Sequence, residues 1–206
     1  MADDARSCIV LDFETTGLSP NQGDRAIEIG AVKLEGGEVV DRFQELMHPG
    51  RRISRFIEDY TGITNAMLAE ADPGEAVMTR FADWCGGADL VAHNASFDRR
   101  FLEAELAHLG RRPGRFACSM LLARRLVPEA PCHGLGALVE HLGIPNDGTF
   151  HRALADAEMT VGLWRILLAR LQDEHGLTTV SFTDLQRLAR TPKAQVGRFL
   201  GRLAGL

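Results

Sequence analysis

Apolar positions along the chain repeat with two periods, and the change from one to the other predicts the architecture. Residues 8 to 14, CIVLDFE, form an apolar run bounded by polar sequence, as expected of a buried strand. Residues 26 to 35 alternate between faces and predict a second strand. Gly36-Gly37 then marks a hairpin turn into a third strand over 38 to 46. From residue 53 to 84 the spacing turns helical in short pieces, broken at Gly62 and Pro73-Gly74, with Val77, Phe81 and Trp84 on one face. Residues 89 to 94 predict a short strand, followed by a helix over 96 to 109. Ser96 is placed as that helix's N-cap, with Phe101, Glu105 and His108 along one side. Residues 115 to 119 predict a fifth strand, and two helices, 119 to 127 and 134 to 143, flank the Pro128 and Pro131 loop. The longest periodic segment starts near His151: Ala157, Val161, Trp164, Leu168 and Leu171 predict an inward face that ends at Gly176. Strands first, then alternating helices and strands, predict an α/β three-layer domain with a mixed sheet.

The chain has 206 residues, 45% hydrophobic and 25% charged, with a mean hydropathy of -0.08. These values describe a globular chain with one sizeable core. Residues 1 to 175 are read as the main domain. Residues 176 to 206 are read as a C-terminal helical extension packed on it, because Phe182, Leu185, Leu188, Val196, Phe199 and Leu200 form an apolar set divided by Pro192. Cys8, Cys85, Cys118 and Cys132 lack the spacing of a zinc site or disulfide framework and are expected to be reduced thiols. No cationic leader precedes an apolar stretch, and no run reaches the roughly 18 apolar residues of a membrane span. The expected setting is therefore the cytoplasm, without membrane contact.

The net charge of -5 is unevenly distributed. Arg99, Arg100, Arg111, Arg112, Arg115, Arg124 and Arg125 form one basic stretch; Arg187, Arg190, Lys193, Arg198 and Arg202 form another. Each fits a solvated face or a nucleic-acid contact. The acidic residues carry more information. Asp12 and Glu14 lie two apart near the end of an otherwise apolar strand, so period two points both carboxylates to one side. Like charges there repel and lose hydration unless a cation or strong donor meets them. Taken alone, the pair also fits a solvated strand end. Asp98 starts a helix, where a capping role and a metal-binding role are equally consistent. His151 and Asp156 lie five apart, which places His151 at or before its helix start, as a general base or as a surface or capping His. Together the five residues suit phosphodiester hydrolysis: carboxylates hold two hard cations about 4 Å apart, Mg²⁺ or Mn²⁺ rather than zinc, and a His accepts the proton of the attacking water.

The blocks DFETTGL, RAIEIGAV, HNASFD and HRALADA, in that order over about residues 8 to 160, resemble the DnaQ-like DEDDh exonucleases. That family includes the proofreading subunit of bacterial replicative polymerase, ribonuclease T and oligoribonuclease. The resemblance implies a ribonuclease H-like three-layer fold with a mixed five-stranded central sheet flanked by helices. It further implies a 3′-to-5′ exonuclease with Asp12, Glu14, Asp98 and Asp156 as metal ligands and His151 as general base. Thr15, through its backbone, Leu18 and Phe97 would contact the terminal nucleotide; Phe97 equally fits the core. Glu28, also acidic, is read as a structural partner on the second strand. The expected substrate is a single-stranded or frayed 3′ end of DNA, with RNA as the alternative and a polymerase or a second copy of the chain as candidate partners. One departure is Thr61, where many polymerase-associated members carry His before the Gly-Ile pair. A different class of function, a nucleic-acid or polymerase-associated binding subunit acting through the C-terminal extension, is the alternative reading.

Overall fold

The computed structural model describes residues 3–148 and 150–205. A five-stranded sheet forms its centre, in the order β3-β2-β1-β4-β5. β1 (Cys8–Thr15), β2 (Ala26–Glu35) and β3 (Glu38–Leu46) form an antiparallel meander, and Gly36 and Gly37, both at positive φ, make the tight turn between the last two. The short strands β4 (Leu90–Ala92) and β5 (Phe116–Cys118) add in parallel on the other side of β1. This mixed sheet, with helices on both faces, is the ribonuclease H-like arrangement expected from the sequence.

β1 divides the core because its side chains alternate. Ile9, Leu11 and Phe13 face one apolar cluster, which holds Val77, Met78 and Phe81 of α3 (Gly74–Cys85) and Phe101, Leu102 and Leu106 of α4 (Ser96–Ala107). Cys8 and Val10 face the other, under α7 (Ala153–His175). α1 (Arg55–Thr61) and α2 (Asn65–Ala69) rest on a small third cluster with Ile27, Ile53 and Ile63. α7 is buried more widely than a single stripe, with Met159, Thr160, Leu163 and Leu167 inside as well. It packs between the sheet and the helices α5 (Ser119–Leu126) and α6 (Leu135–Leu142), so two of its faces are covered.

Two expectations for α4 need correction. Its N-cap is Ala95, and the Ser96 hydroxyl makes no capping bond. Asn94 adopts a left-handed conformation, φ 63, and its carbonyl accepts the Phe97 N–H at 2.9 Å, so the backbone turn does what a side-chain cap would do. His108 is exposed just past the helix end, and the buried positions are Phe101, Leu102, Glu105 and Leu106. Glu105 is buried because Arg25 grips it with two hydrogen bonds of 2.8 Å, tying α4 to the start of β2.

The last segment forms α8 (Phe182–Arg190) and α9 (Val196–Leu203), and Phe182, Leu185, Leu188 and Leu200 share the apolar cluster of α7. Two arginines of the first basic stretch are spent on anchoring it. Arg115 bonds Asp89, Asp3 and Thr183, and Arg125 donates to the Thr191 carbonyl. Phe182 is fully buried beside Trp164, their ring centroids 6.4 Å apart. Phe182→Ala is expected to cost about 3–5 kcal/mol in urea unfolding; a loss below about 1 kcal/mol would place α8 outside the cooperative core. Among the described residues no helix is long and apolar enough to cross a membrane.

Candidate active site

Three elements bring four carboxylates together at one end of the sheet. On β1, Asp12 and Glu14 continue the side that carries Cys8 and Val10, so both point toward α7. Opposite Asp12 in the ladder stands Gly30. A Cβ on Gly30 would lie 2.1 Å from the Leu154 nitrogen and 2.2 Å from the Ala153 carbonyl carbon. Only glycine lets the first turn of α7 approach the sheet this closely, and that approach brings Asp156 to the β1 carboxylates. Asp98 arrives from the other face, in the first turn of α4. β1 runs past the end of its pairing with β4, which stops at Val10, so the Phe13 N–H is free to donate to Asp98 Oδ1 at 3.2 Å.

The segment leading into α7 is clamped from below. Glu28 is fully buried; it accepts 2.8 and 3.1 Å bonds from Arg152 and a 3.0 Å bond from the Ala153 N–H, and Gln44 bonds it as well. This is the structural role expected of Glu28, and Arg152 is the partner that sequence distance concealed. His151 adopts a left-handed conformation, φ 59, two residues before the helix, and its N–H donates to Asp156 Oδ2 at 3.1 Å. One ligand atom each from Glu14, His151 and Asp156 lies within 4.8 Å of the others.

Electrostatics set this cluster apart from ordinary polar packing. Glu14, Asp98 and Asp156 are buried, at 8%, 2% and 9% exposure, and Asp12 keeps partial access. Among the described residues no Arg or Lys forms an ion pair with any of the four. Burial, then the charges of Asp98, Asp156 and Glu14, holds the Asp12 carboxyl well above the usual carboxylate range. Burial, then Asp156, pushes Glu14 up to about 8. Burial also raises Asp98 and Asp156. Buried carboxylates with no Arg or Lys ion pair among the described residues, beside the His151 ring, offer the donor types of a divalent-cation site.

The cleft above the cluster encloses about 440 Å³. Thr15, Leu18 and Phe97 all line it. Thr15 is buried and its hydroxyl donates to the Gly17 carbonyl at 2.6 Å, whereas Leu18 stands 78% exposed at the rim. Phe97 lines the cleft while its ring packs on Phe101 at 5.0 Å, so it is partly in the core. The loop carrying Leu18 is fixed by Asp24, which accepts from the Ser19 N–H, the Thr16 hydroxyl and Arg51. Phe56 and Tyr60 line the same cleft and were not anticipated. Their signal was present in the sequence: two aromatics one helical turn apart, off the apolar face set by Ile53 and Ile57. Thr61 also lines the cleft, but its hydroxyl is committed, donating to the Ile57 carbonyl and accepting from the Ile63 N–H. His93 is driven by burial down to about 4. Held between Ser119 and the His133 carbonyl, it stays a neutral wall residue.

Residues 9–164 match the family model described as Exonuclease, RNase_T. The PolC-type DNA polymerase III of Staphylococcus saprophyticus is 38% identical over 166 residues, which are 80% of this chain and 11% of that protein. The Staphylococcus aureus protein of the same name is 38% identical over 167 residues, 80% of this chain and 12% of its own length. The chain thus spans about a tenth of the length of these relatives. Among solved structures, Exonuclease X in complex with 5′ overhanging duplex DNA superposes with a TM-score of 0.67 at 31% identity, covering 86% of this chain and 98% of that one. The nuclease domain of 3′hExo, a DEDDh family member bound to rAMP, shares the fold with a TM-score of 0.66 at 23% identity, again over 86% and 98% of the two chains. A sheet of this order, a carboxylate cluster at its end and a family match across most of its length lead to one assignment: the chain belongs to the exonuclease family.

Proposed function

We propose that the chain is a metal-dependent 3′-to-5′ exonuclease releasing nucleoside 5′-monophosphates, with DNA as the favoured substrate and RNA as the alternative. The observation that carries this reading is the convergence of four carboxylates, none ion-paired with an Arg or Lys among the described residues, in a cleft with an apolar rim. Asp12, Glu14, Asp98 and Asp156 would hold two divalent cations, Mg²⁺ or Mn²⁺. Bound there, such cations would supply charge that offsets the phosphate, makes water more acidic and stabilises a leaving 3′ oxygen. His151 is the general base, taking the proton of the attacking water on a ring nitrogen. The bond from its backbone N–H to Asp156 fixes the segment that carries it. The Thr15 backbone, Leu18 and Phe97 hold the terminal nucleotide: Leu18 offers an exposed apolar edge, and the Phe97 ring is braced from behind by Phe101.

Residues 1 to 175 form the exonuclease domain in this reading, and residues 176 to 206 serve as a helical cap rather than a docking module, since Phe182, Leu185, Leu188 and Leu200 are used within the core. The polymerase names of the relatives favour DNA and make a polymerase the candidate partner, with a second copy of the chain as the alternative. Free cysteines fit a cytoplasmic setting.

The test uses a 5′-labelled single-stranded DNA oligonucleotide and its RNA counterpart, each with Mg²⁺, Mn²⁺ or EDTA. A ladder shortening from the 3′ end, abolished by EDTA and about 10²- to 10⁴-fold slower in His151→Ala, is the expected result. Absence of a ladder on both substrates with either metal would refute the assignment. The response to a terminal 2′-hydroxyl ranks DNA against RNA.

A further inference from the structure

An aromatic contact joins α1 to the segment that carries His151. α1 is anchored by its inner face, where Ile57 packs against the cluster of Ile27, Ile53, Ile63 and Leu68, and Ser54 caps its first turn. Its outer face leaves Phe56 and Tyr60 71% and 50% exposed, rings stacked 5.8 Å apart at 12°. Tyr60 continues the stack onto His151, with ring centroids 4.0 Å apart and planes at 32°. His151 stands outside α7 in a left-handed conformation, so no helical neighbour one turn away restrains its side chain. An imidazole has several staggered orientations open to it, and a flat surface packed against its ring narrows them. The Tyr60 ring, carried by an anchored helix, provides that surface.

The geometry points to Tyr60 as a positioning residue that holds the His151 imidazole in the orientation needed to accept a proton. This inference rests on the assignment of His151 as general base. The contact is between ring faces, so a phenyl group serves as well as a phenol. A surface that only stacked on substrate bases would act on binding, whereas a support for the base acts on the chemical step.

The experiment measures kcat and KM on a single-stranded DNA oligonucleotide with Mg²⁺ for the full chain and four variants: Tyr60→Ala, Tyr60→Phe, His151→Ala and the Tyr60→Ala/His151→Ala pair. Tyr60→Ala is expected to lower kcat by about 10- to 100-fold with KM within about threefold of the parent. Tyr60→Phe should restore kcat to within about twofold. In the His151→Ala background the same Tyr60 change should cost nothing further, because a support without its base has no effect. A loss confined to KM, an equal loss in the paired variant, or failure of Tyr60→Phe to restore kcat would overturn the positioning role and leave the base in place. An unchanged kcat in His151→Ala would instead remove the base assignment itself, and with it the inference.

Discussion

Asp12→Asn is expected to lower exonuclease turnover on the order of 10³-fold while making the metal-free protein more stable at pH 8. The two effects share one cause. Asp12 sits among Asp98, Asp156 and Glu14, and burial plus their charges holds its carboxyl well above the ordinary range. Glu14 moves from the ordinary glutamate value of 4.5 to about 8. A folded-state pKa above the unfolded one means the folded chain binds more protons between the two values. Stability that is complete below the unfolded value is therefore lost as pH rises toward the folded one. For Glu14 that window runs from about pH 4.5 to about pH 8. Across such a window a group bound to one extra proton in the folded chain loses about 1.4 kcal/mol for every pH unit crossed, and water reaching the cleft mouth reduces the sum, so a decline of about 3 kcal/mol is expected in EDTA. Asn keeps the shape of Asp12 and removes a second group whose ionisation the folded chain opposes, so the total decline should shrink. Millimolar Mg²⁺ should reverse most of it in the parent and little in the variant. Thermal unfolding at several pH values, with EDTA or Mg²⁺, reads all of these. A parent whose metal-free stability is flat across that range would contradict the electrostatic account of the cluster.

Gly30→Ala is expected to lower activity to within about tenfold of the loss expected for Asp12→Asn, although residue 30 carries no functional group. The added methyl would meet main-chain atoms of Ala153 and Leu154 at 2.1–2.2 Å, and main-chain atoms cannot swing aside as a side-chain tip does. The first turn of α7 must lift from β2. That movement would break the Ala153 N–H bond to Glu28, strain the Arg152 pair and carry His151 and Asp156 away from β1. A destabilisation of about 3 kcal/mol is expected, with a fall in kcat near 10²-fold in the fraction that folds. Gly197→Ala is the control: it lies within α9 with nothing within 4 Å of an added Cβ, so helix propensity should make it neutral or stabilising by up to about 1 kcal/mol. Urea unfolding and the oligonucleotide assay on both variants separate close approach from glycine loss in general. A Gly30→Ala protein with parental stability and turnover would show that α7 does not need this approach.

The outline of the molecule was legible without coordinates because it rests on local periodicity. Alternation over 26 to 35, the Gly36-Gly37 turn and the apolar run of β1 need only neighbours two to four residues away. The breaks at Gly62, Pro73 and Gly176 follow from the backbone limits of those residues. The ordered acidic blocks were legible too, since a carboxylate in an apolar strand departs from its surroundings wherever the strand goes.

What sequence by itself could not supply are contacts whose partners lie far along the chain. Glu28 meets Arg152 124 positions away, and Arg25 meets Glu105 80 positions away. Nothing in either neighbourhood names the other partner. The cap of α4 differs for a local reason: Ser96 has the right chemistry, but Asn94 takes the left-handed conformation, which residue type alone does not fix, and closes the turn. The inward face of α7 was read too narrowly because burial on two sides erases the single stripe on which helical periodicity depends. Sequence alone thus determined the order of elements and singled out the residues proposed to do phosphodiester chemistry. Only the tertiary structure decided that Gly30 would let α7 reach the sheet, that the carboxylates would be buried together without an Arg or Lys ion partner among the described residues, and that Tyr60 would lie on His151, because each depends on distances between segments that local pattern does not encode.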